Sequence, residues 1–393
     1  IRKDAAPPES WDGINMFSKN LRYDDPGRLT AYDNFRGNLE DILKVAGQAD
    51  IPVLLSTVAS NLKDCGPFSS VRSEGLNADQ IGRWKEHYSR GQSHEAAGEI
   101  AEAIKSYSDA AAIDPGFADL QFRMGRCLLH MGDVEQARQA FEMARDYDGL
   151  AVRADSRING IVRAVGKEMA TEDLYFADAE QVLADVSAQG VSGQEQFFEH
   201  VHYTLSGNYQ LARVLADEIE GILPPEIAST ESGPWVSEHI CQRKLAATLW
   251  DQHRLWNNIL LRISVSPHTN QLNHEENLRY CEERKKEVIS RIDQNTPRDD
   301  RRLYESNLAR FPDDNIMIER YGQYLEAMGS RKEAIRQFEK LCQLLPDMEW
   351  PHYYLGKILA RAGRNEEAAE AFERALQIRN DFPQAQDALE KIR

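Results

Sequence analysis

A 34-residue spacing of small and aromatic residues recurs four times and limits what this chain can fold into. The first two copies carry Gly91, Gly98, Ala103, Tyr107, Ala110 and Pro115, then Gly125, Gly132, Ala137, Phe141, Ala144 and Gly149. The last two carry Gly322, Gly329, Ala334, Phe338, Leu341 and Pro346, then Gly356, Gly363, Ala368, Phe372 and Ala375. Small residues where two helices touch, with an aromatic residue on the second helix, predict stacked helical hairpins that bury one another.

This pattern resembles the tetratricopeptide repeat. It predicts an inserted pair of repeats over 79–149 and a C-terminal array over 281–393. Residues 281–314 read as a degenerate repeat, and a capping helix is expected from Pro383. The resemblance makes three residues packing residues rather than chemical ones: Trp84, Tyr88 and Ile104.

The segments on either side of the inserted repeats have α/β character. Apolar residues recur every three or four positions over 26–48, which predicts an amphipathic helix. The apolar, β-branched run Ile51–Val58 then predicts a buried parallel strand, and residues 174–177 predict another. Ligands bind at the carboxyl edge of such sheets, so we expect the loop at 61–68 to line a pocket. Asn61 and Asp64 are its candidate residues, although Asx residues that only hold a turn explain them equally well.

The sequence Glu199-His200-Val201-His202 places a carboxylate three residues before a histidine. A carboxylate that orients an imidazole leaves the other ring nitrogen to act as a general base, so Glu199 and His202 are candidate catalytic residues. A structural role for His202 remains the alternative. His200 and His202 form an HxH pair, but no third metal ligand has suitable spacing, and no metal site is predicted. We assign Gly207-Asn208 to a turn and helix start.

Three segments together resemble the second half of an SGNH (GDSL-type) hydrolase domain. They are the loop from Ser56 to Phe68, the segment Leu150–Asn159 and the block Glu199–His202. The resemblance covers roughly residues 10–78 and 150–221. It implies a flavodoxin-like sheet fragment and a serine esterase or acyl hydrolase. In such an enzyme His202 accepts the serine proton and Glu199 orients His202.

Two departures leave the enzymatic assignment open. The family has Asp where this chain has Glu199. Its serine nucleophile, oxyanion-hole glycine and GxND asparagine all precede the strand at 52–58, and this chain has none of them. Ser56, Ser60 and Ser69 stand in no matching motif. We therefore expect a C-terminal fragment that does not catalyse by this mechanism alone. The family branch often carries an upstream membrane anchor, which suggests an extracytoplasmic location.

The C-terminal repeats suggest a different function, the binding of a peptide. Trp350, Tyr353, Lys357 and Arg361 lie within an arc of about eighty degrees on a helix at ~100° per residue. These positions line the concave groove in the repeat family, and an aromatic, basic groove suits an acidic peptide. Packing of Trp350 and Tyr353 on the neighbouring repeat is the alternative. The second hypothesis is thus a non-enzymatic scaffold whose α/β part is a platform.

The composition restricts the classes of partner and cofactor that the chain is expected to bind. The net charge of −17 argues against nucleic acid, whose binding needs clustered Lys and Arg. Five scattered cysteines form neither a disulfide framework nor a zinc site, and we expect no cofactor. No apolar run has the length of a membrane span. The chain is predicted to be mainly α-helical with a partial α/β fold. We divide it into five segments: 1–78, 79–149, 150–222, 223–280 and 281–393.

Overall fold

The computed structural model describes residues 20–224, 227 and 234–393. They form two compact units. The first comprises the chain up to Pro234 together with Ile259–Cys281, and the second comprises Trp235–Asn258 together with Glu282–Arg393. Residues 10–19 of the segment that resembles the hydrolase lie outside the described residues.

The first unit begins with a helix and a strand. Helix α1 spans Pro26–Gln48, and the Asp25 side chain caps it by accepting the Gly27 amide hydrogen bond. Strand β1 spans Val53–Ser56. Its carboxyl end leads into the loop that the sequence predicts as a pocket wall.

Two helical hairpins follow that loop: α2 (Ala78–Ala97), α3 (Ile100–Ala111), α4 (Ala118–His130) and α5 (Val134–Asp146). In each hairpin a glycine of the first helix faces an aromatic ring of the second. A Cβ on Gly91 would lie 2.4 Å from the Tyr107 ring, and a Cβ on Gly125 would lie 2.8 Å from the Phe141 ring. Only glycine therefore permits these helices to approach so closely.

After the hairpins the chain returns to the α/β layer through α6 (Ser156–Glu168), β2 (Leu174–Ala177), α7 (Ala179–Asp185) and α8 (Leu205–Ile222). Strands β1 and β2 are parallel, with Val53 opposite Leu174. Helices α1 and α6 enclose a small apolar core with β1, formed by Leu43, Leu55, Val162 and Val165.

The second unit is helical. Its helices, two of which continue into the first unit, are α9 (Glu238–Lys244), α10 (Leu249–Ile263), α11 (His274–Ser290), α12 (Thr296–Arg310), α13 (Asn315–Ala327), α14 (Arg331–Leu344), α15 (Glu349–Arg361), α16 (Asn365–Ile378) and α17 (Pro383–Ile392). The Asp300 carboxylate accepts hydrogen bonds from the amides of Leu249 and Trp250, at 3.3 and 3.1 Å, at the start of α10. Asp251 pairs with Arg320 at 2.6 Å and so joins α10 to α13.

The C-terminal hairpins repeat the packing of the inserted ones. A Cβ on Gly322 would lie 3.0 Å from the Phe338 ring, and a Cβ on Gly356 would lie 2.6 Å from the Phe372 ring. Ala334 is fully buried, like its counterparts in the other copies, Ala103, Ala137 and Ala368. The glycine–aromatic pairs and the buried alanines thus have the packing role that their spacing predicts.

The prediction of a mainly helical protein with a small α/β part and helical repeats is confirmed. The start of α8 lies slightly earlier than the sequence prediction places it. Helix α8 begins at Leu205, capped by the Thr204 hydroxyl, so Gly207 and Asn208 lie in its first turn rather than before it. A Cβ on Gly207 would lie 2.1 Å from the carbonyl oxygen of Gln196, and this close approach explains the glycine.

Two glycines of α2 provide a matched test of this packing. We expect Gly91→Ala to lower the free energy of unfolding by about 1–3 kcal/mol, because the new methyl group overlaps the Tyr107 ring. Gly82→Ala meets nothing within 4 Å and should be neutral or stabilising by up to about 1 kcal/mol through helix propensity. Urea denaturation followed by circular dichroism measures both. Equal effects of the two substitutions would contradict the packing role.

Candidate functional site

Residues Glu199–His202 form a tight turn between two aromatic side chains. Phe197 and Tyr203 pair as an isolated antiparallel bridge, and their ring centroids lie 4.6 Å apart. The Phe198 amide donates to the His202 carbonyl at 2.7 Å and closes the turn. Phe197 is fully buried, so it anchors the turn in the apolar core.

The structure brings the two candidate catalytic residues into contact. Oε1 of Glu199 contacts Nδ1 of His202, and Oε2 accepts the amides of His200 and Val201. The Glu199 side chain is 3% exposed, whereas the His202 side chain is 52% exposed. With Nδ1 held by the carboxylate, Nε2 is the ring nitrogen left to exchange a proton.

Charged and buried neighbours set the protonation of this cluster. Burial raises the pKa of Glu199, but its contact with the His200 ring and its electrostatic interactions with His200 and His202 outweigh the burial and lower the pKa to about 2. Nδ1 of His200 meets Oε2 as an ion-pair contact rather than a well-directed hydrogen bond. Burial and the charge of His200 lower the pKa of His268 to about 4. At neutral pH Glu199 is therefore an anion and His268 is uncharged.

Sequence reasoning missed two members of this cluster, Arg262 and His268. Nη1 of Arg262 lies 3.2 Å from both ring nitrogens of His202 and 3.8 Å from Oε1 of Glu199. The His268 ring lies 5.4 Å from the His200 ring and 5.2 Å from the Phe68 ring, between centroids. Both residues come from the segment 259–281, about sixty positions downstream, and no local spacing pointed to them.

Asn61 and Asp64 hold the loop after β1 in place. The Asn61 side chain donates to the Glu199 carbonyl at 2.8 Å and accepts the Asp64 amide at 3.1 Å. The Asp64 carboxylate accepts the Gln194 amide at 2.8 Å. Asn61 therefore links the loop to the catalytic candidates, and Asp64 lines a neighbouring polar cavity of about 290 Å³.

No nucleophile completes the site within the described part of the chain. His202 accepts or donates no hydrogen bond with a hydroxyl or thiol there. The nearby thiol of Cys65 is buried, and burial raises its pKa to about 11, so it is not a thiolate at neutral pH. Across residues 20–224, 227 and 234–393 no group of three or more His, Cys, Asp or Glu side chains is arranged to hold a metal ion.

The predicted groove residues share one face of α15. The Trp350 ring packs against Phe382 at 4.7 Å between centroids, and Tyr353 packs against the same ring at 5.1 Å. Lys357 Nζ lies 5.3 Å from the centroid of the Tyr353 ring. Arg361 pairs with Glu326 of α13. The two rings thus contact the next helical element, as the alternative interpretation expects, while Trp350 stays 38% exposed.

A family model described as tetratricopeptide repeat matches residues 95–154 and 325–392. The chain contains tetratricopeptide repeats. The two matched segments lie in the inserted pair of hairpins and in the C-terminal array, the places that the spacing predicts. No curated protein matches the sequence.

Several solved structures of tetratricopeptide-repeat proteins align with the chain. YrrB, "a TPR protein with an unusual peptide-binding site", is 12% identical over 77% of this chain and 90% of its own, with a TM-score of 0.24. MamA from Desulfovibrio magneticus is 18% identical over 36% of this chain and 84% of its own, with a TM-score of 0.24. A thermophilic TPR protein from Thermus thermophilus is 11% identical over 79% of this chain and 98% of its own, with a TM-score of 0.23. The repeat assignment rests on the family model and on the helix packing.

None of the described helices is both long enough and apolar enough to cross a bilayer.

Proposed function

We propose that this chain binds a protein or peptide partner through its C-terminal tetratricopeptide repeats. The observation that carries the proposal is Lys357 on the face of α15. Its ammonium group lies over the rings of Tyr353 and Tyr354, 5.3 and 5.5 Å from their centroids. No carboxylate of the described residues pairs with it within 4 Å, so a partner can supply the anion.

An acidic peptide fits this face best. Trp350 offers an exposed aromatic surface at one end, and the Arg361 side chain is 57% exposed at the other. Arg361 already pairs with Glu326, so an acidic partner must compete for it. Lys357 has no such competitor among the residues that the structure describes and should contribute the larger share of the affinity. Charge-assisted hydrogen bonds to a carboxylate supply both attraction and orientation.

We expect a fluorescent Asp/Glu-rich peptide to bind the full chain and its Asn/Gln counterpart to bind at least tenfold more weakly, by fluorescence anisotropy. Lys357→Ala should weaken binding about tenfold, since a charged hydrogen bond contributes roughly 1.5–3 kcal/mol. Arg336→Ala is the control, because Arg336 is exposed on α14, the second helix of its hairpin. Equal binding of the two peptides, or no effect of Lys357→Ala, would refute the acidic-peptide assignment.

A second candidate function is ester hydrolysis, favoured by the contact between Glu199 and His202. In a serine hydrolase a hydroxyl attacks the ester carbonyl, and the histidine takes the hydroxyl proton while a carboxylate holds the imidazole. Glu199 and His202 supply two of these three groups. The hypothesis places the nucleophile upstream of Ile1. Arg262, which lies 3.2 Å from Nε2 of His202, would have to withdraw from that nitrogen when the hydroxyl approaches.

The hydrolysis of p-nitrophenyl acetate tests this candidate. We expect activity in the protein extended upstream of Ile1 and none in the 393-residue chain. His202→Ala in the extended protein should reduce the rate by about 100-fold or more, the usual contribution of a general base. His239→Ala, at an exposed histidine, controls for catalysis by surface imidazoles. Activity that survives His202→Ala would exclude the site, and an inactive extended protein would count against an esterase.

A further inference from the structure

A cavity of about 230 Å³ lies at the carboxyl ends of β1 and β2, on residues that neither proposed function uses. We call it the sheet-edge cavity. Its walls come from the loop after β1, from α5 of the inserted repeats and from α6 and α7; the residues that matter here are Ser60, Arg138, Glu142, Arg163, Asp178 and Glu180. The repeat insertion therefore completes a cavity at the edge where open α/β sheets bind ligands.

Three charged groups of the wall are already satisfied. Asp178 accepts hydrogen bonds from Arg163 at 2.7 and 2.8 Å and from the Thr57 hydroxyl at 2.8 Å. Glu180 pairs with Arg163 at 2.8 Å and with the buried Arg145 at 2.7 Å. These contacts fix the wall and cancel its charge, so they leave no demand for a ligand.

Three other groups of the wall are not satisfied. Ser60 is 2% exposed and its hydroxyl has no hydrogen-bond partner among the described residues. Nε of Arg138 is buried and also lacks a partner there; the nearest carboxylate to its guanidinium is Glu135, at 3.9 Å. Glu142, one helical turn further along α5, makes no hydrogen bond or ion pair with any described residue. Of these groups the Ser60 hydroxyl and Nε of Arg138 are buried, and unpaired buried polar groups are costly, so a ligand that pairs them is correspondingly favoured.

We propose that the sheet-edge cavity binds a small zwitterion of amino-acid size. Arg138 and Ser60 would donate to its carboxylate, and Glu142 would accept from its ammonium group. A simple anion would leave Glu142 unpaired and would be repelled by its carboxylate. A simple cation would leave Arg138 unpaired and would be repelled by its guanidinium group. The cavity is smaller than the ~300–1,000 Å³ clefts that hold drug-sized ligands, which also favours a small molecule.

The protonation of Glu142 agrees with this assignment. Burial raises the pKa of Glu142, and the charge of Arg145 only partly offsets the burial. An ammonium group beside the carboxylate would favour the ionised form. The zwitterion would thus bring the positive charge that the surrounding side chains supply only in part.

Isothermal titration of the full chain with each protein amino acid tests the proposal. For each amino acid that binds, the same titration uses its decarboxylated amine and its deaminated acid. We expect at least one amino acid to bind and both of its analogues to bind at least tenfold more weakly. Arg138→Gln and Glu142→Gln should each cost tenfold or more. Gln139→Ala, at an exposed position of α5, should bind as the wild type does.

Three results would overturn the proposal: no amino acid binds, an analogue binds as well as its parent, or both charge-removing variants keep wild-type affinity. The comparison of analogues uses only the wild-type chain, so it stands even if a variant fails to fold. Circular dichroism of each variant separates lost affinity from lost structure. Because the C-terminal repeats do not enter this experiment, its result is independent of peptide binding.

Discussion

The buried carboxylate of Asp148 is the contact on which the first unit depends. It accepts the amides of Phe68 and Ser69 at 2.9 and 3.0 Å and the amide of Leu150 at 3.0 Å, and it is 1% exposed. Arg153 approaches it at 3.4 Å. One side chain at the end of the inserted repeats therefore pairs donors from the loop after β1 and from the returning chain.

The same contacts extend to the candidate site. Arg153 donates to the carbonyls of Asn61 and Cys65 at 2.9 and 3.0 Å. Asn61 in turn donates to the Glu199 carbonyl, so a continuous set of hydrogen bonds joins Asp148 to the turn that holds Glu199 and His202. Since Ser60 adjoins Asn61, this network also positions the sheet-edge cavity. The inserted repeats thus support both sites.

The sequence predicted what is local and periodic. The glycine–aromatic contacts follow from a fixed spacing, and Glu199 meets His202 because they are three residues apart in one turn. Arg262 contacts the same turn from a segment about sixty residues downstream, and no sequence periodicity predicts that contact. Asp148 and Arg153 are polar residues whose burial depends on partners in distant segments, so their roles became visible only in the fold. The hydrolase resemblance stays a hypothesis, because the family model covers the repeats alone.

Native-state hydrogen exchange after Asp148→Asn tests most directly whether the inserted repeats and the site form one cooperative unit. The Asn side chain has one acceptor oxygen where Asp has two, so buried amides lose their hydrogen-bond partner. Each buried amide left without a partner costs about 1–3 kcal/mol. We predict that the amides of Phe68 and Leu150 lose protection together with those of α5 and with the Asn61 amide, which bonds the His200 carbonyl. Faster exchange at Phe68, Ser69 and Leu150 alone, with α5 and Asn61 unchanged, would contradict the account.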